Sequence, residues 1–222
     1  MPSTTTTPVQ MVLFDCDGVV VDSERVTNQI LRDDLAMRGL DLPLPEIMHL
    51  FVGGTMSGVA KQASAKGALI PEDWLEIIYP KIYTALAQTV TLIPGIETVL
   101  DALDAVGIPF AIGSNGRLEK MHITLGKTGL LARFEGRMYS GQNCAAPKPA
   151  PDVYLWAARE QGVAPRNCAV IEDSASGARA GQAAQMRTFG FTHDTAPGVL
   201  APICDALFDD MADLPALLGL AP

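Results

Sequence analysis

Positive charge is what this sequence has least of. Lys and Arg number 16 against 25 Asp and Glu, for a formal net charge of −9. There is no run of Lys or Arg, so the basic face needed to hold nucleic acid is missing and nucleic acid is excluded as a partner. An anionic substrate would have to be held locally, by a metal and a few placed cations. Cysteine is also sparse. Cys16, Cys144, Cys168 and Cys204 are scattered with no CxxC pair, which argues against a disulfide framework and for reduced thiols packed as small buried hydrophobes in a cytoplasmic protein. His49, His122 and His193 are isolated and not at metal-ligand spacing. No apolar run approaches the length of a membrane span. The first ten residues, with four consecutive threonines, lack the basic and apolar regions of a signal peptide. The expectation is a soluble monomer with no membrane partner. The hydrophobic fraction of 48% is ample for a packed core, in one domain or one with a sizeable insertion.

The stretch over 12–23 organises the rest. A continuous apolar run ends in Asp15-Cys16-Asp17-Gly18, the pattern of a strand buried on both faces that emerges at the edge of a parallel sheet. Side chains alternate along an extended chain, so Asp15 and Asp17 leave on one side and Cys16 on the other. Two like charges that close are costly unless a cation sits between them, and a hard divalent ion such as magnesium takes oxygen ligands of this kind. Gly18 lets the backbone turn sharply. An acidic turn after a buried strand reads the same way, so independent parts of a site must be found elsewhere.

After Ser23 the period changes. Val26, Ile30, Leu31 and Leu35 fall at helical spacing, with Gly39 as a stop. Pro45 can open a short helix through Phe51, and Thr55 can cap another ending near Gly67. Pro71 can open a longer one carrying Trp74, Leu75, Ile78, Ile82 and Leu86, with Pro80 inside it. The interval 23–92 shows no strand pattern. It is expected to be an all-helical cap inserted into an α/β core formed by 1–22 and 93–222. Trp74 and Trp156 fall among apolar residues at helical spacing and are expected in the core.

From Pro94-Gly95 onward strand and helix alternate. Strands are expected over 108–113, 137–139, 167–171, 187–191 and 206–208. Helices are expected over 96–106, 117–128, 152–161, 175–186 and 214–220. Such alternation implies a Rossmann-like parallel sheet covered by helices on both faces, and ligands in these folds bind beyond the carboxyl ends of the strands. Ser114-Asn115 and Glu172-Asp173 sit at two further strand ends, and Lys148 lies in the proline-stiffened loop 146–151. With Asp15 and Asp17 they can converge on a phosphate ester. Asp15, Asp173 and the main-chain carbonyl of Asp17 would hold magnesium. Ser114, the Asn115 amide and Lys148 would hold phosphoryl oxygens. One carboxylate could attack phosphorus while a second, two residues on, protonates the leaving oxygen.

Four motifs in this order, Asp15-x-Asp17-Gly-Val, Ser114-Asn, Lys148-Pro-x-Pro-Asp and Glu172-Asp173-Ser, resemble those of the haloacid dehalogenase superfamily of phosphohydrolases with a helical cap. The likeness runs from about residue 11 to 191. It implies Asp15 as nucleophile, Asp17 as general acid/base, and Ser114 and Lys148 as phosphate ligands. The metal end would be Glu172 and Asp173 together with Asp15 and Asp17, and the cofactor Mg2+. The branch it most resembles holds phosphoglycolate phosphatase, β-phosphoglucomutase and 6-phosphogluconate phosphatase, which implies a small phosphorylated metabolite as substrate. In the cap, Gly53, Gly54 and Thr55 form a turn suited to close approach to a ligand, although a plain tight turn reads alike. With Asn115 they are the expected substrate-binding residues.

Rival readings differ in specific residues. A phosphate-accepting receiver domain opens with its acidic pair, carries its nucleophile later and lacks the helical insertion. A dehalogenase would not need Asp17 or the Glu172-Asp173 end. A binding protein without catalysis would not need all four stations filled. A phosphomutase of the β-phosphoglucomutase type is the nearest rival. The resemblance places a histidine and an arginine of that enzyme at Thr27 and Met56 here, with Arg25 or Lys61 left as candidates for a second phosphate.

Overall fold

The computed structural model describes residues 8–51 and 55–220. Six strands form one parallel sheet: β1 (Met11–Phe14), β4 (Phe110–Ser114), β5 (Met138–Ser140), β6 (Cys168–Glu172), β7 (Arg187–Phe191) and β8 (Ala206–Phe208). Their order is β5-β4-β1-β6-β7-β8. The acidic strand is therefore central, with Val12 paired to Phe110 on one side and to Ala169 on the other. A second, two-stranded antiparallel ribbon joins β2 (Val21–Asp22) to β3 (Thr91–Leu92).

Alternation along β1 fills both faces. Met11 and Leu13 pack with Val153, Tyr154 and Ala157 of α8 (Asp152–Glu160) and with Ala180 of α9 (Ala175–Ala183). Val12 and Phe14 join the larger cluster. That cluster takes in α5 (Ile96–Ala105), α6 (Leu118–Thr128), the short α7 (Leu131–Phe134) and the closing α11 (Leu214–Leu218). A four-residue α10 (Pro197–Leu200) packs on α9. The glycines of α9 are used for closeness: a Cβ at Gly181 would lie 2.5 Å from Thr188 Oγ1 and 3.2 Å from Val170.

Between β2 and β3 the described residues form four helices, α1 (Glu24–Met37), α2 (Leu44–Phe51), α3 (Met56–Ala65) and α4 (Trp74–Thr89). Apolar spacing explains α1 and α4, which bury Leu31 and Leu35 on one side and Trp74, Ile78, Ile82 and Leu86 on the other. Thr55 caps α3 by accepting the Gly58 N–H at 3.1 Å. Pro71 makes a turn before α4, and the helix itself starts at Trp74. The sequence pattern missed the β2–β3 ribbon, α7 and α10, because two or four residues are too few to show a period.

Among the described residues of the helical block, the charge buried in the interior is Asp34. Asp34 is 2% exposed and accepts from Arg38 at 2.6 Å, Trp74 Nε1 at 2.7 Å and Lys81 at 2.8 Å. Burial alone would raise its carboxyl, but these donors outweigh burial and lower it from the usual 3.8 to about 2. A depressed carboxylate contributes stability fully above its unfolded value and loses it as pH falls through the folded one. Asp34→Asn is therefore expected to lower stability by about 2 kcal/mol at neutral pH. The deficit should shrink as pH falls from about 4 toward 2, which urea unfolding at a series of pH values checks. A constant deficit would mean that packing, and not charge, is what the substitution removes.

Candidate active site

The central strand delivers the first carboxylate. The Asp15 N–H continues the ladder to Ile171 O at 2.9 Å, so its buried side chain emerges beside the end of β6. Cys16 points the other way into the core, and burial pushes its thiol well above the usual range. Asp17 turns back toward Lys120, whose ammonium lies 2.7 Å from Oδ1, and accepts the Ser23 hydroxyl. Gly18 follows at φ +78°, where a Cβ would stand 2.1 Å from Asp173 Oδ2. The turn is thus glycine's for two reasons, a left-handed backbone and a carboxylate pressed against it.

Lys148 joins the stations. Its ammonium donates to Asp15 Oδ1 at 2.7 Å and to Glu172 Oε1 at 2.6 Å. It also stands 4.7 Å from the centre of the Tyr154 ring. The Asn115 side chain grips the Lys148 main chain, accepting its N–H at 2.9 Å and donating to its carbonyl at 3.3 Å. Asn115 therefore sets the loop that carries Lys148 while also lining the cavity. Ser114 Oγ accepts the Gly116 N–H at 3.0 Å. Glu172, fully buried, accepts on Oε1 from Tyr154 Oη at 2.7 Å and on Oε2 from the Ser174 N–H at 3.2 Å and Oγ at 3.0 Å.

Carboxylate oxygens of Asp15, Glu172 and Asp173 lie within 4.8 Å of one another. Burial raises the Asp15 carboxyl to about 7, Lys148 pulling it back down while Glu172 and Asp17 push it up. Asp173 is driven well above the usual range by burial, with Glu24, Glu172 and Asp15 adding to it. No Lys or Arg pairs with Asp173 among the described residues. A buried all-oxygen donor set short of positive charge fits a hard divalent cation. The Asp17 carboxylate, committed to Lys120 and Ser23, stands outside this trio.

A cavity opens over the strand ends beneath the helical block. Thr55 lines it, though its hydroxyl already caps α3; Gly53 and Gly54 lie outside the described residues. Arg25 and Lys61 are exposed and do not reach it. Sequence reasoning missed the polar lining residues Glu24, Asn28, Tyr79, Arg117, Lys120 and Gln142. Burial raises the Glu24 carboxyl to about 8, Asp17 adding to the rise. The Arg117 guanidinium lies 3.9 Å over the Tyr79 ring and has no carboxylate partner among the described residues. Its signal was available: it stands three residues past Ser114, at the start of the helix that follows that strand end. Thr27 Oγ1 is buried against the same cavity without a hydrogen-bond partner among the described residues.

A central parallel sheet with carboxylates, a lysine and a hydroxyl converging past its strand ends defines an α/β protein with a ligand site at the carboxyl ends of its strands. The model of the haloacid dehalogenase-like hydrolases matches residues 12–191, and the chain belongs to that family. Among curated relatives it is 29% identical over 188 residues to 6-phosphogluconate phosphatase of Escherichia coli K12, covering 84% of each chain. It is 27% identical over 188 residues to hexitol phosphatase B of the same organism, covering 82% of this chain and 84% of that one. Among solved structures, a HAD family hydrolase from Deinococcus radiodurans R1 with bound phosphate and sodium superposes with a TM-score of 0.79. That pair is 35% identical, over 96% of this chain and 98% of the other. The family, the parallel α/β core and the hydrolase class all agree with the sequence reading. Among the described residues no helix is long and apolar enough to cross a membrane.

Proposed function

We propose that the protein is a magnesium-dependent phosphatase that hydrolyses a small phosphorylated metabolite through an aspartyl-phosphate on Asp15. The observation that carries this is the buried ammonium of Lys148 bridging Asp15 and Glu172 at 2.7 and 2.6 Å at the edge of a carboxylate trio. Magnesium held by Asp15, Asp173 and the Asp17 carbonyl would neutralise that trio and polarise a phosphoryl oxygen. Asp15 keeps Oδ1 on Lys148 and has its other oxygen to attack phosphorus, so it forms the O–P bond as the ester oxygen leaves. Asp17, oriented by Ser23 and Lys120, protonates that oxygen and later takes a proton from the attacking water. Ser114 and Lys148 hold the remaining phosphoryl oxygens, where charge develops. Residues 23–92 would act as the cap, lowering Thr55 and Tyr79 onto a core of 1–22 and 93–222.

Arg117 supports a substrate with a second anionic group, because a guanidinium stacked on an aromatic ring and unpaired with any described carboxylate is set to receive one. A phosphorylated sugar acid satisfies this, in line with the likeness to 6-phosphogluconate phosphatase. The same arginine also keeps a phosphomutase as the second reading, since it would meet a distal phosphate. Phosphate release should be followed over phosphorylated sugar acids, sugar phosphates and hexitol phosphates, with magnesium and with chelator. Release should need magnesium, and Arg117→Ala should lower kcat/KM on acids by about 10–100-fold, the loss of a charged hydrogen-bonded pair. A phosphate monoester whose aryl group carries no charge should be affected far less. Full activity in chelator would sink the metal assignment, and isomerisation of glucose 1-phosphate outrunning phosphate release would favour the mutase.

A further inference from the structure

The phosphatase reading leaves the buried phenol of Tyr154 without a task. Tyr154 sits on the first turn of α8, just past the loop that carries Lys148, and is fully buried. Its hydroxyl donates at 2.7 Å to Glu172 Oε1, the same oxygen that takes the Lys148 ammonium. Room for this arrangement has been cleared on both sides by glycine. A Cβ at Gly113, inside β4, would come within 2.9 Å of two Tyr154 ring carbons, and one at Gly177, inside α9, within 1.6 Å of Glu172 Oε1. Glycine is unfavourable in a strand and in a helix alike, so its presence at both places points to space that is in use.

An ionised carboxylate offers about four acceptor sites. Those of Glu172 are taken by Lys148 Nζ, Tyr154 Oη, and the Ser174 N–H and Oγ. Lys148 in turn gives one N–H to Asp15 and one to Glu172, which leaves the third for a phosphoryl oxygen.

We propose that Tyr154 is a positioning residue that holds Glu172 on Lys148, keeping the third N–H of that lysine aimed into the cavity and Glu172 itself off the metal. The inference rests on the phosphatase reading of Asp15 and Lys148. Among the donors to Glu172, Tyr154 alone is a residue that none of the four motifs contains.

Tyr154→Phe is the test, because phenylalanine keeps the ring against Gly113 and its face toward Lys148 and removes only the hydroxyl. Binding of inorganic phosphate to the magnesium-loaded protein and binding of magnesium alone should be measured by calorimetry, beside kcat and KM. The phosphate dissociation constant and KM are expected to rise about tenfold, as loss of one hydrogen bond to a charged group allows, with magnesium affinity not weakened. Wild-type phosphate affinity and kcat/KM in the variant, whatever its melting temperature, would overturn the proposal. So would a loss confined to magnesium affinity, since that would put Glu172 on the metal. Should the variant not fold, Glu172→Gln replaces it: magnesium affinity should fall severalfold less than in Asp173→Asn, and an equal fall overturns the idea. Wild-type protein that binds no phosphate in magnesium overturns the phosphatase reading and this inference together. Wild-type binding with an unaffected variant removes the inference alone.

Discussion

Asp15→Asn is expected to abolish turnover, lowering kcat by roughly 10⁴–10⁶-fold, the range seen when a nucleophile is removed from a catalytic set. An amide matches the carboxylate in shape and can still accept the Lys148 N–H, but it is a poor nucleophile. The site should therefore stay assembled and bind phosphate without forming a phosphoenzyme. Burial raises the Asp15 carboxyl to about 7 in the protein alone, and a divalent cation beside it favours the charged, attacking form. Asp17→Asn should differ in kind. Loss of a general acid/base slows turnover by roughly 10²–10⁴-fold and leaves the phosphoenzyme able to form. Acid quench of single turnovers, followed by hydroxylamine, separates the two. A hydroxylamine-sensitive acyl-phosphate accumulating in Asp15→Asn would move the nucleophile elsewhere.

The next largest effect should come from Lys148→Met, and it should appear in stability as well as in rate. Removing one partner of a buried ion pair leaves the other charge uncompensated, at a cost of about 3–5 kcal/mol. Here Asp15 and Glu172 would both be left. At a domain of this length that corresponds to a fall of roughly 10 °C in melting temperature. The sign with pH follows from Lys148 itself. Burial would lower its ammonium, but Asp15 and Glu172 outweigh burial and hold it above the usual lysine value. A raised cation contributes fully below its unfolded value and loses that contribution only as pH rises through the folded one, so the whole deficit is present at neutral pH. Magnesium should restore part of the melting temperature, because the carboxylates left bare belong to the oxygen cluster. A melting temperature unchanged in the variant would show that the bridge between Asp15 and Glu172 is not formed in solution.

The legible part of this molecule was what lies next to a strand end. Asp15, Ser114 and Glu172 each follow or close a run of buried residues, so periodicity alone located them and the parallel sheet brought them together. What the sequence could not display was partnership between distant residues. Tyr154 reads as one more apolar position on α8 until Glu172 is beside it, and Gly113 reads as a weak point in a strand until the ring is seen against it. Asn115 was legible as a cavity residue, but not as the amide that clamps the Lys148 main chain 33 residues away. A cation for a second anionic group was sought in the helical block, at Arg25 or Lys61, whereas the described cations that line the cavity, Arg117, Lys120 and Lys148, all lie outside that block.

The β2–β3 ribbon carries a consequence for ancestry and engineering. Val21 faces Leu92 and Asp22 faces Thr91, so the chain leaves the sheet for its helices and comes back at neighbouring points. Insertions survive where entry and exit lie this close, because the host's strands need not part to admit them. The helices over this site are in that sense a replaceable fitting. With Ser23 kept as the partner of Asp17, exchange of the helices from Glu24 onward is expected to change which molecules reach Asp15 while the six-stranded sheet, Lys148 and the carboxylates behind it keep their places. New substrate preferences could then be acquired by swapping the fitting and leaving the chemistry untouched.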